Sequence, residues 1–275
     1  MTTVDVTAAD VTAIPHRSPA ERRERWLQWA DLTRVLAVSN FKRRYLRSKL
    51  GIAWAIVSPT LQAAVLSFVF LKIFHVTKIA HYPLYVLSGI MAWQFFQQSC
   101  SHGTGSIVDN GPLIKKVAVP KVIFPLSTVG GVLLVFLVQS VVLFVAAAVF
   151  GTLSIHVFYL FLAIPIELAL AASVAVLCTS IHVSLRDIRF VVDAGLMMFF
   201  YLTPIIYDIS RWPASARKYA EWNPMYGVLS IVRAAFLNRP VDWYGVLAAV
   251  VLTAIIAALG GWLFHRRSAD FSDLV

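Results

Sequence analysis

Six stretches of this chain carry no Asp, Glu, Lys or Arg: residues 50–71, 79–108, 122–166, 168–185, 194–207 and 243–265. About 20 apolar residues, each rising 1.5 Å, cross a hydrocarbon layer roughly 30 Å thick. Unbroken apolar stretches of that length do not fit a single soluble core. Of the 275 residues 59% are hydrophobic and 14% charged, and the mean hydropathy is +0.75. That balance excludes a soluble enzyme, a disulfide scaffold and a disordered chain. The expected fold class is an all-α polytopic membrane protein.

The pattern predicts six transmembrane helices over 52–74, 84–100, 122–150, 156–181, 190–207 and 243–264, with Gly151-Thr152-Leu153-Ser154 as the turn inside the longest charge-free stretch. An even number of spans puts both ends of the chain on one side. Lys and Arg decide which side: the first 51 residues, the segments between spans two and three and between four and five, and the tail together hold 17 of the 24. Both termini are therefore expected in the cytoplasm. Residues 1–50 form a cytoplasmic N-terminal segment, 51–265 the transmembrane domain and 266–275 a cytoplasmic tail.

Met1 to Ser18 lacks the apolar core of a secretory signal, so the N-terminus is expected to stay in the mature protein. The run that follows sets Trp26, Trp29, Leu32, Val35 and Leu36 at helical spacing among Arg22, Arg23, Arg25 and Arg34, and continues into Lys42, Arg43, Arg44 and Arg47. This reads as an amphipathic helix at the cytoplasmic interface, its apolar face in the headgroups and its Arg side chains in water. It serves either as a plain anchor or as part of a frame for a cytoplasmic partner. The net charge of +10 sits beside the spans, which points to anionic lipid and not to nucleic acid. Cys100 and Cys178 lie in expected spans and read as packed thiols.

Several features depart from a plain bundle. Pro59 lies inside span one and Pro204 near the end of span five, and each frees backbone groups that a neighbour must satisfy. The segment 208–242 holds two helix-like pieces, 214–222 and 225–237, broken at Asn223-Pro224. The second is too apolar for an ordinary loop and too short to span, so re-entrant half-helices are expected on the external side, over about 212–240. Glu167 is the one carboxylate deep in a span, where a charge costs about 2.5 to 3.5 kcal/mol on insertion scales. A polar contact within the bundle or at a helix end is the expected reason, because no acidic or His partner at similar depth supports a proton relay. Catalytic patterns are missing: there is no GxxxxGK[ST], HExxH, CxxC or GxSxG, and Gly103-Thr104-Gly105 has no phosphate-loop Lys. No catalytic residue and no metal site is expected.

The string FKRRYLRSKLGIAWAIVSP resembles the approach to the first span in membrane subunits of polysaccharide-exporting ABC transporters, with Leu50-Gly51, Trp54 and Pro59 in place. SGIMAWQFF, GPLIKKVAVPKVIFPL, SLRDIRFVV leading to FFYLTPIIY, and WNPMYGVLSIVRAAFL follow in the order and spacing of that family, from about Asp31 onward. The resemblance implies a homodimer working with two copies of a separate ATPase, which carries the ATP and Mg. No cofactor is expected on this chain. It further implies that residues 110–121 form a coupling helix docked into the ATPase, with Asn110, Leu113, Lys115, Lys116 and Lys121 facing it. The loop bearing Arg186, Asp187 and Arg189 would help frame the same site, although Arg189 and Asp193 are also spaced for a simple ion pair.

Two facing chains offer the twelve helices that a pore wide enough for a sugar chain needs, where six do not. Candidate path-lining rings are Phe68, Phe70 and Phe74 in span one, Trp93, Phe95 and Phe96 in span two, and Phe199, Phe200 and Tyr201 in span five. Asn223, Pro224 and Arg233 are the expected external gate. The function expected is export of an undecaprenyl-diphosphate-linked polysaccharide across the inner membrane, of the O-antigen, teichoic acid, capsule or galactan type. Alternatives are an exporter of drugs or small lipids and a membrane scaffold or enzyme of glycan synthesis. Against the last stands the absence of paired carboxylates or an acidic cluster for a metal-bound sugar nucleotide.

Overall fold

The computed structural model of the chain describes residues 19–45, 49–75, 79–116, 119–209, 212–268 and 271. Among these, ten α-helices follow one another and no strand occurs: α1 (Pro19–Tyr45), α2 (Ala53–Phe68), α3 (Tyr82–Gly105), α4 (Gly111–Ile114), α5 (Ile123–Val149), α6 (Leu160–His182), α7 (Ile188–Leu202), α8 (Ala214–Glu221), α9 (Pro224–Leu237) and α10 (Trp243–Arg267). Arg47 lies outside the described residues.

Four segments are long and apolar enough to cross a membrane: Ala53–Ile73, Ile123–Val149, Ile155–His182 and Trp243–Arg267. The expected six include α3 and α7, which fall short for different reasons. At 24 residues α3 has the length, but Gln94, Gln97 and Gln98 lower its hydropathy. It can carry them because it is the hub of the bundle, packed against α2, α5, α6, α7 and α9 and buried along most of its length. With 15 residues α7 reaches about 22 Å at 1.5 Å per residue.

Pro59 and Pro165 lie inside α2 and α6 without ending them, whereas Pro204 follows the end of α7. Pro59 is buried inside α2 and has no N–H to give the carbonyl four residues back, that of Ala55. The Gln139 side chain of α5 donates to that carbonyl at 2.9 Å, which is the neighbouring satisfaction a proline in this position requires. Helix α2 then changes hand-over, ending in a π-helical turn over Val69–Ile73 closed by Phe74 N–H to Val69 O at 3.0 Å. The first span is thus not α-helical throughout, as the sequence pattern suggested.

The fifth helix corrects its expected range. It ends at Leu202 and not at residue 207, because the residue before a proline is driven out of the α region, and Thr203 is extended at φ −87°, ψ 131°. At the other end of the chain α10 runs on through Arg266 and Arg267, which the sequence reading had placed in the tail. Helix α9 has its cap built from its own flanks: the Asn223 side chain accepts from Met225 N–H at 2.9 Å, Pro224 occupies the first turn, and Asn238 closes the C-terminus at φ 54°. Its backbone lies close against α10. A methyl group on Gly227 would stand 2.3 Å from Gly245 O, so only glycine allows this approach.

Glu167 does not make the polar contact expected of it. It is fully buried, and among the described residues neither carboxylate oxygen has a hydrogen-bond partner. It shares a face of α6 with Ala163, Leu170 and Ala171, all equally enclosed. Cys100 is buried, Cys178 is partly so, and both are free.

Replacing Gln139 with Leu leaves the Ala55 carbonyl without a donor in the interior. The expected loss is about 1–3 kcal/mol. Thermal unfolding of the detergent-solubilised chain measures it, with Val141→Ala on the exposed side of α5 as the reference for an ordinary apolar change.

Candidate functional site

Three regions collect the residues singled out by the sequence. At the end of the bundle where α1 finishes and α4 lies, a cavity of about 300 Å³ opens between α1, α3, the turn at Val108–Asn110 and α5. Arg43, Arg44, His102, Asp109 and Asn110 line it. Helix α1 reaches this position because Ala37 packs on Gly130 and Gly131 of α5, where side chains would keep the helices apart. Arg43 donates to Asn40 at 2.6 Å and Arg44 to Gln98 at 2.8 Å, so both guanidiniums are held at the rim. Asn110 donates to Ser106 O at 2.7 Å and fixes the turn.

The segment expected to be a coupling helix over 110–121 is less helical than that, a 3₁₀ turn over Val108–Asn110 followed by the four-residue α4. Leu113, Lys115 and Lys116 project from it exposed, as do Arg186, Asp187 and Arg189 from the approach to α7. Arg189 and Asp109 both come close to Gly105, which brings the two loops together. Arg189 and Asp193 do not pair: Asp193 accepts from Ser101 at 2.6 Å instead. Lys121 is turned from the exposed group, since its ammonium donates to Ser268 O at 2.7 Å and sits 5.7 Å from the Phe271 ring. On α1, Trp26 and Arg34 are exposed and Trp29 half-buried, with the two indoles edge to face at 5.4 Å, and Lys42 is exposed.

In the middle of the bundle, Trp93 and Phe96 of α3 and Phe199 and Phe200 of α7 form one cluster with ring centroids 5.7–6.4 Å apart, continued by Tyr201 at 5.3 Å from Phe200. Phe95 points the other way, onto Phe136 of α5. Phe70 and Phe74 pair at 5.7 Å near Tyr82, and Phe68 stands alone and exposed. The candidate rings therefore divide into separate groups. Sequence reasoning passed over Gln62, Gln94 and Gln97 beside the main cluster. For Gln94 and Gln97 the signal was present, as amides spaced three apart on a stretch without Asp, Glu, Lys or Arg.

At the opposite end, the stretch after α7 is held residue by residue. Thr203 Oγ1 accepts from Asn223 at 2.9 Å, Pro204 O and Ile205 O accept from Arg233 at 2.6 and 2.9 Å, Ile206 O accepts from Tyr82 at 2.7 Å and Tyr207 O from Tyr85 at 2.8 Å. Arg233 is buried with its guanidinium 3.6 Å from the Tyr85 ring centroid, so its charge is spread over two carbonyls and a π face. Arg239 approaches the same ring at 5.0 Å and pairs with Asp208 at 2.8 Å. Gly89 lets Ile205 in, since a methyl there would meet Ile205 Cγ2 at 3.1 Å. Behind the clamp, Tyr226 donates to Asp242 at 2.8 Å, and burial together with that carboxylate raises the phenol above its ordinary pKa and keeps it a donor. Asn223, Pro224 and Arg233 thus meet at one place, while the two tyrosines that complete it escaped the sequence reading.

A lysine ammonium is a compact, strongly hydrated charge with no plane to lay on the Tyr85 ring, so it fits this buried site less well than the guanidinium. In Arg233→Lys, a cysteine placed at Ile205→Cys is expected to react with a membrane-impermeant maleimide about tenfold faster than in the parent, reflecting local opening of the clamp. Equal rates would mean that Arg233 does not hold this stretch.

The family model for ABC-2 type transporters matches residues 31–237. Two O-antigen export system permease proteins RfbA of Klebsiella pneumoniae are 28% and 26% identical over 248 and 249 residues, in each case 89% of this chain and 95% of the relative. The O-antigen export system permease protein RfbA of Myxococcus xanthus is 25% identical over 252 residues, 90% of this chain and 96% of its own length. With three quarters of its length matched by the model, and helices apolar enough to span a bilayer, the chain is a multi-pass membrane protein of the ABC-2 type transporter family.

Proposed function

We propose that this chain is the membrane subunit of an exporter that carries an undecaprenyl-diphosphate-linked polysaccharide of the O-antigen type outward across the cytoplasmic membrane. The observation that carries this reading is the basic cavity where the last turn of α1 meets Asp109 and Asn110, beside the exposed Lys115, Lys116, Arg186 and Arg189. A surface of this kind suits a separate ATPase, and the relatives' names supply the class of cargo.

In this reading α3 and α7 join the four apolar segments to complete six spans, and the basic end faces the cytoplasm. Two copies of the chain enclose the path and two ATPase subunits drive it. Closure of the ATPases pushes on residues 110–121 and shifts the protomers, and the clamp on 203–207 yields to open the outer side. The chain itself binds and guides; bond breaking belongs to the partner.

Affinity purification from native membranes in mild detergent tests the proposal. The expected result is a P-loop ATPase in stoichiometric amount, lost when Lys115 and Lys116 are both changed to Glu, and weakened by raising the salt concentration because exposed charges are screened. Its hydrolysis should respond to lipid-linked sugar and not to drugs. A chain that purifies alone, or with a glycosyltransferase and no nucleotide hydrolysis, would overturn the reading.

A further inference from the structure

Glutamine amides and aromatic rings meet halfway through the bundle in a cavity of about 200 Å³, lined by Gln62 of α2, Trp93, Gln94 and Gln97 of α3, and Phe200 and Tyr201 of α7 among others. Gln94 stands at the middle of α3 and Gln62 near the middle of the apolar segment Ala53–Ile73, so the cavity lies at mid-length of these two helices, level with the C-terminal turn of α7.

The amides are only half used. Gln94 donates to Gln62 Oε1 at 3.3 Å and accepts from Gln139 at 3.4 Å, while Trp93 Nε1 donates to Gln97 Oε1 at 3.1 Å. These bonds consume the oxygens of Gln62 and Gln97 and fix both side chains in place. Among the described residues, the side-chain nitrogens of Gln62 and Gln97 donate to no one, and the Tyr201 hydroxyl is likewise unengaged. Free amide donors turned toward hydrocarbon would be costly, so their placement at this depth needs a polar occupant.

The chemistry of that occupant is narrowed by what lines the cavity. No Asp, Glu, Lys, Arg or His among the described residues does so, and nothing there could balance a carboxylate or phosphate stripped of water. Fixed amide donors suit hydroxyl and ring oxygens, and flat rings suit the C–H faces of a sugar. We infer that this cavity is a subsite for an uncharged sugar residue of the passing chain and favours neutral glycans over polyanionic ones. The inference rests on the export reading and narrows its cargo.

The test is saturation-transfer difference NMR on the full chain in lipid nanodiscs, with a linear tetramer of galactose and one of galacturonic acid as probes, because the two differ only in the charge at C6. The galactose tetramer is expected to give the stronger signal by about tenfold. That signal should fall about threefold in Gln97→Ala, the scale of one hydrogen bond, and hold in Val141→Ala on the exposed side of α5. Gln62→Arg, used once its size-exclusion and thermal-unfolding profiles match the parent's, should bring up the galacturonate signal. Equal signals from the two probes, or a galactose signal indifferent to Gln97→Ala, would overturn the subsite. The binding needs no ATPase: its failure with an ATPase still recovered refutes this inference alone, whereas failure to recover an ATPase refutes the export reading.

Discussion

A backbone carbonyl inside a hydrocarbon layer has no water to turn to, so a proline there hands its lost hydrogen bond to a side chain from elsewhere. One such transfer and one outright helix end shape this bundle. At Pro59 the donor is Gln139, which ties α2 to α5 through a single amide. At Pro204 the helix stops altogether, and five successive residues are taken over by Asn223, Arg233, Tyr82 and Tyr85. The second arrangement is the more consequential, because it gathers α3, α7 and α9 at one point. A helix that simply continued would have needed none of these partners.

The same logic separates the two ends of the molecule. The clamp end turns its charges inward, against carbonyls, a tyrosine ring and each other. The end near α4 leaves Lys115, Lys116, Arg186 and Arg189 outward. An inwardly directed cluster rigidifies and an outwardly directed one invites contact. Between the two, α3 carries polar groups that a lipid-facing helix could not, since its neighbours shield it on nearly every side.

Periodicity and charge gaps located nearly every helix of this chain, because helix length in a bilayer is dictated by thickness and leaves a plain mark. The end of α7 was also readable in principle: Thr203 precedes a proline, and its extended backbone follows from that alone. Other features were not readable, for a physical reason that recurs. That Gln139 serves Ala55, that Tyr82 and Tyr85 serve residues more than 120 positions away, and that Asp193 prefers Ser101 to Arg189 are all facts of tertiary neighbourhood. Spacing along one helix carries no record of them. Glu167 is the opposite case, a residue whose charge promised a partner and whose carboxylate oxygens find no hydrogen bond among the described residues.

The π-helical turn over Val69–Ile73 holds one residue more than an α-helix would use to cover the same arc, as the bond from Phe74 N–H to Val69 O shows. Withdrawing a single residue there would let the helix close in the ordinary way, with Phe68 on one side and Phe74 on the other keeping their directions. The bundle thus contains a point at which chain length can change by one without any neighbour being displaced. A one-residue gap between this chain and another permease at 69–73 would therefore be silent in three dimensions, whereas the same gap four residues into α3 would turn every buried side chain after it away from its place.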